Sequence, residues 1–108
     1  MNCLNSILLE GDCASEPEMI ATAKGDICQF TVKSHRKDID GLVEESTFDV
    51  EASGRLAQTI AATVKKGRGL RIVGRIKEEI SFDEAGCAIS CMKIIAEHVE
   101  FKPGRVSL

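Results

Sequence analysis

FDVEASGRLAQTIAATVKKGRGLRIVGRI, running from Phe48 to Ile76, contains two changes of hydrophobic period, and they decide the fold. Phe48, Val50 and Ala52 alternate with Asp49, Glu51 and Ser53, which is the pattern of a half-buried strand. Leu56, Ile60 and Val64 then recur every four residues with Ala57 and Ala61 beside them, so a helix of about three turns is expected. Ser53 suits its N-cap, Lys65 and Lys66 suit the negative end of its dipole, and Gly67 suits the position past its end. From Leu70 to Ile80 alternation returns, with Leu70, Ile72 and Ile76 inward and Arg71, Arg75 and Lys77 outward. Gly74 takes the place of an inward side chain, which predicts a bulge or sharp bend.

The flanking sequence extends this pattern. Asn5–Glu10 reads as a strand stopped by Gly11-Asp12, and Met19–Thr22 as a short continuation beyond the turn at Pro17. Ile27–Ser34 alternates, with Cys28, Phe30 and Val32 on one face. The polar run HRKDIDGLVEES, residues 35–46, reads as a long loop. Thr47–Ser53 is the third strand, and Ala88–Phe101 is the last, with a break near Ala96-Glu97. The order is three strands, a helix and two strands. Bent strands favour a small closed barrel over an open sheet, and a five-stranded barrel with its helix between strands three and four is the OB architecture. The fold class is thus all-β with one helix. One domain is expected over residues 1–102, followed by a short tail over 103–108.

With 108 residues, the chain can bury one modest core. Its net charge of −3 excludes a generally basic nucleic-acid binder, though not a local basic groove. No apolar run is long enough to span a bilayer, and the N-terminus lacks the pattern of a signal peptide, so a cytoplasmic protein is expected. The five cysteines are odd in number and form no CxxC pair, as expected of reduced thiols. Cys87 and Cys91 would be about 13 Å apart on a strand, too far to share a tetrahedral metal ion. Neither His35 nor His98 has a nucleophile at a suitable spacing. No catalytic residue, metal or cofactor is therefore expected, and the protein is read as a non-enzyme.

LNSILLEG, EPEM, FTV, FDVEASGRLAQTIAATVKKG, LRIVGRIK and IIAEHVEF follow one another from Leu4 to Phe101. In that order and spacing they resemble the bacterial single-stranded DNA-binding protein family, and look closest to its spirochaete-type members. The resemblance implies an OB barrel that assembles as a tetramer or dimer. It implies sequence-tolerant binding of single-stranded DNA in replication, recombination and repair, a nucleoid-associated place in the cytoplasm, and other replication proteins as further partners. Members of this family hold phosphates with basic residues and stack bases on aromatic rings, a division that follows from the charge and π-face every nucleotide carries.

The chain departs from that pattern. Thr47, Ser53 and Ser81 stand where the family places stacking aromatics, and Ser90 stands where a tyrosine is common. There is no Trp or Tyr; of the four Phe, Phe30 and Phe48 have core parity, leaving Phe82 as the stacking candidate. Three absent platforms correspond to about 3–9 kcal/mol of stacking if additive, so reduced affinity is expected. The expected DNA contacts are Lys33, Arg36, Lys37, Arg55, Arg71, Arg75, Lys77 and Phe82. Asp49 and Glu51 point outward and oppose phosphate. The ending KPGRVSL carries basic Arg105 and no acidic tip, so recruitment of partners through a tail is not expected. The alternative is an OB module kept for interaction, primosome-like or joined to a cognate single-strand binder, with little DNA binding.

Overall fold

The structure is a computed structural model that describes residues 2–102; the expected tail over 103–108, with Arg105, lies outside the described residues. Its elements are β1 (Ile7–Cys13), β2 (Glu18–Thr22), β3 (Gly25–Lys37), β4 (Val43–Ser53), α1 (Gly54–Thr63), β5 (Gly69–Phe82) and β6 (Ala88–Phe101). The sheet order is β1-β5-β6-β4-β3-β2, and a β1–β3 pairing closes it into a barrel. Pairing with β3 passes from β1, at Asp12 and Cys13, to β2, at Glu18–Thr22, so β2 extends β1 past the turn at Pro17. The barrel therefore has the five strands of an OB fold, and its helix stands between β4 and β5.

The closure is uneven. Antiparallel ladders of many pairs join β3 to β4 and β5 to β6. The β1–β3 seam registers only Asp12↔Lys33 and Cys13↔Val32, with one further bond from the Ala14 N–H to the Thr31 carbonyl, and the parallel β4–β6 seam registers only Val50↔Ile94 and Glu51↔Ile95. Side chains fill the space these seams enclose. Phe30, Val32, Val50, Leu70, Ile72 and Ile94 are buried from the strands, Val64 from the cap at the C-terminal end of α1, and Ala57 and Ile60 from one face of that helix. That face is the one the four-residue spacing predicts, and the helix packs on β3 and β4.

Gly74 is the bend. A Cβ there would collide with the carbonyl oxygen of Ile95, so only glycine lets β6 come so close. The register shifts at the same point: Val73 pairs with His98 and Gly74 with Ala96, which leaves Glu97 bulged.

Several expectations are corrected. Residues 35–46 do not form a long loop: β3 and β4 pair out to Lys37↔Val43, and the turn is held by Asp38, whose carboxylate accepts from the N–H groups of Asp40 and Leu42. The paired residues of that hairpin end are mostly polar, and its apolar Ile39, Leu42 and Val43 cluster at the tip and stay exposed, so no alternation betrays it. β1 continues through Gly11-Asp12 to Cys13 because its partner β5 continues beside it to Gly69. Phe48 and Ile76 have core parity but are 37% and 44% exposed, since their strands run on beyond the packed interior. Ser53 holds the N-cap position without a side-chain hydrogen bond, and Lys65 and Lys66 lie past the last helical turn. Gly67, at φ +93°, turns the chain after the helix and its N–H donates to the carbonyl of Cys13.

Candidate nucleic-acid interface

Strand parity sorts the candidate residues into faces. On β3 the outward side chains are Gln29, Thr31, Lys33, His35 and Lys37; on β4 they are Thr47, Asp49, Glu51 and Ser53. On β5 they are Arg71, Val73, Arg75, Lys77, Glu79 and Ser81, with Ile95, Lys93 and Cys91 of β6 opposite Arg75, Lys77 and Glu79. These outward faces bound an open groove of about 390 Å³, with Gln29 and Thr31 on one wall, Asp49 and Glu51 along the middle, and Glu79, Ser81 and Lys93 on the other wall. Glu16 and Glu18 close one end.

Thr47, Ser53 and Ser81, where the family resemblance implies rings, all have groove parity, and Ser81 lines the groove itself. Phe82 is one residue further and pairs with Ala88, so its 72% exposed ring stands on the opposite face of the hairpin. It shares the parity of Ile76 and Ile80 and does not line the groove. The structure does not bring Phe82 to the basic residues.

Those basic residues separate as well. Arg75 and Lys77 follow the groove parity of β5 next to Glu79, and neither has a carboxylate partner among the described residues. Arg71 shares their face but is paired with Glu10, Nη2 to Oε2 at 2.6 Å, and with Glu100 at 3.9 Å. The hydrogen bond and charge of Arg71 hold the Glu10 carboxyl below the ordinary carboxylate range. Lys33 has groove parity and faces Thr47 in register, with Glu45 at 3.7 Å. Lys37 has the same parity near the hairpin tip, Arg36 points the other way opposite Glu44, and Arg55 is exposed at the start of α1.

The acidic side of the groove outweighs the basic. Its lining includes the carboxylates of Glu16, Glu18, Asp49, Glu51 and Glu79 against the single ammonium of Lys93. Lys93 Nζ lies 2.7 Å from Glu51 Oε1 and also contacts Glu79. Burial works against the lysine charge, but the hydrogen bonds to Glu51 and Glu79 outweigh it and hold the pKa above the ordinary lysine value. The Lys93 hydrogen bond in turn holds Glu79 low. Sequence reasoning missed this triad because its members come from β4, β5 and β6. Only the outward parity of Lys93 beside buried Ile94 hinted at it.

Comparisons with known proteins agree on one family. The profile of the Single-strand binding protein family matches residues 4–102. A single-stranded DNA-binding protein of Aquifex aeolicus is 30% identical over 101 residues, covering 89% of this chain and 68% of that one. Single-stranded DNA-binding protein 1 of Clostridium acetobutylicum is 28% identical over 102 residues, covering 91% and 93%. The crystal structure of a small single-stranded DNA-binding protein from Streptomyces coelicolor superposes with a TM-score of 0.72 at 23% identity, covering 94% of this chain and 96% of that one, which shows the shared fold.

Proposed function

The chain belongs to the Single-strand binding protein family, and from that premise we propose that it binds single-stranded DNA without regard to sequence, in replication, recombination and repair. The observation that carries this reading is the match of the family over residues 4–102 to an OB barrel whose outward β5 face presents Arg75 and Lys77 beside an open groove. Phosphates have cations to meet along that face, and contacts of this kind are indifferent to sequence. Lys33, Lys37 and Arg71 extend the face, with Arg36, Arg55 and Phe82 as outlying contacts for a strand that wraps the barrel. Its chemistry is binding rather than catalysis, and the working form is a dimer or tetramer.

Affinity is lower than a groove lined with rings would give. Thr47, Ser53 and Ser81 offer no π-face, and the groove carboxylates repel phosphate. The test is fluorescence anisotropy of a labelled oligo-dT, titrated with protein at low and at physiological salt. Binding that weakens steeply with salt is the expected result, because neutralised phosphates release counterions. Absence of binding even at low salt overturns the reading. Light scattering of the same samples reports the oligomer.

A further inference from the structure

Lys93 has an unusual position for a surface ion pair. Its side chain is 17% exposed and it engages two carboxylates, one from each neighbouring strand. One carboxylate is enough to neutralise an ammonium; the second leaves the cluster negative. Lys93 also faces Lys77 in register, with Arg75 two residues from Lys77 on the same face of β5, so the three cations cluster beside the groove and Lys93 alone lines it. Arg75 and Lys77 make no ion pair among the described residues, although the Lys77 charge reaches Glu79, whereas Lys93 holds two carboxylates directly.

We propose that Lys93 is a phosphate-binding residue held in check by Glu51 and Glu79, so that these two carboxylates set how tightly the groove holds a single strand. The inference rests on the single-strand binding proposed above. A phosphodiester and a carboxylate compete for the same ammonium with similar charge-assisted hydrogen bonds. The two carboxylates are not equivalent. Glu51 is as enclosed as Lys93 and acts as a fixed counter-charge, whereas Glu79 is 54% exposed and can swing away when phosphate arrives. A phosphate bound at Lys93 must therefore displace Glu79 and tolerate Glu51 and Asp49 beside it.

The test is the oligo-dT titration repeated across a series of salt concentrations with the full chain and four variants. These are Glu79→Gln, Glu51→Gln with Glu79→Gln, that pair with Lys93→Gln added, and Glu97→Gln. The last removes one carboxylate at the β6 bulge, outside the groove. Glu79→Gln is expected to tighten binding about fivefold, and the pair about tenfold or more, as expected for one added charge-assisted contact. The salt slope of the pair should steepen by about 0.7, the value for one further phosphate on a single strand. Adding Lys93→Gln should abolish both gains, and Glu97→Gln should leave affinity within about twofold and slope unchanged.

Wild-type binding with no gain in the carboxylate variants overturns the inference and leaves the proposed function standing. A gain that survives Lys93→Gln, or an equal gain from Glu97→Gln, also overturns it, because general charge would then be the cause. No binding by any variant overturns both, and binding by the carboxylate variants alone supports the inference outright. Far-UV circular dichroism checks that each variant is folded; should Glu51→Gln unfold, the exposed Glu79→Gln carries the test by itself, with and without Lys93→Gln.

Discussion

Arg71 and Glu10 are register partners across the β1–β5 ladder, and the guanidinium rests 2.6 Å from the carboxylate. A cation already held this way has little charge left for a phosphate. Arg75, two pairs along the same face, has no such partner among the described residues. The contributions of the two to binding should therefore differ. Arg75→Ala with Lys77→Ala should flatten the salt slope of oligo-dT binding by up to about 1.4, at about 0.7 for each lost single-strand phosphate contact. Arg71→Ala should flatten it by less than half of that. An equal loss from Arg71→Ala would show that DNA displaces Glu10.

Ser81 and Phe82 are neighbours on opposite faces of the β5–β6 hairpin, and only Ser81 lines the groove. Ser81→Trp should strengthen binding by about 1–3 kcal/mol, roughly 5- to 150-fold. It would also supply a tryptophan, absent from the native chain, whose quenching reads the stacking directly. Phe82→Ala should change affinity by less than about threefold by the same scale. A large loss there would place the strand on the other side of the hairpin.

Gly74 should not tolerate a side chain. Gly74→Ala drives a methyl into the backbone of Ile95, and the cost should be about 1–3 kcal/mol or more. Thermal unfolding followed by circular dichroism should show Tm lowered by at least about 5 °C for a domain of this size.

Stability should form a plateau in pH. Glu10 and Glu79 have folded pKa values depressed by Arg71 and Lys93, so their stabilisation is complete above the ordinary carboxylate range and lost as pH falls through the folded values below it. Lys93 is shifted upward, so its contribution is complete below the ordinary lysine value and lost as pH rises through the higher folded one. Both limbs should be shallow and should flatten further in salt for the exposed pairs. Glu10→Gln and Glu79→Gln should each reduce the acid limb, as read by Tm across pH. An acid limb unchanged in both variants would contradict the assignment.

The elements with one buried face were legible in the sequence. Leu70 and Ile72 against Arg71, and Ile60 and Val64 at helical spacing, mark burial that the structure contains, and Gly74 marks a bend that it also contains. Legibility fails where the physical cause of the pattern is missing. The β3–β4 tip from His35 to Ser46 pairs as a ladder but leaves its apolar Ile39, Leu42 and Val43 exposed, so burial imposes no alternation there. Phe48 and Ile76 carry core parity past the point where the core ends. The Lys93 cluster is assembled by the parallel β4–β6 contact between residues about forty apart in sequence, beyond the reach of local periodicity.

The two short seams give the barrel a mechanical character. One leaf is β1 with the β5–β6 hairpin, and the other is β2 with the β3–β4 hairpin. They are joined by two residue pairs at each seam, while each leaf is internally laced by long ladders. Strain is therefore expected to part the leaves along these lines before it frays either hairpin, much as a book opens at its spine. The groove straddles one spine, since its walls come from β3 and β4 on one leaf and from β5 and β6 on the other. A polymer lying in it would act as a splint across that joint, and the seam amides of Glu51 and Ile95 would be the first to register the added stiffness in hydrogen exchange.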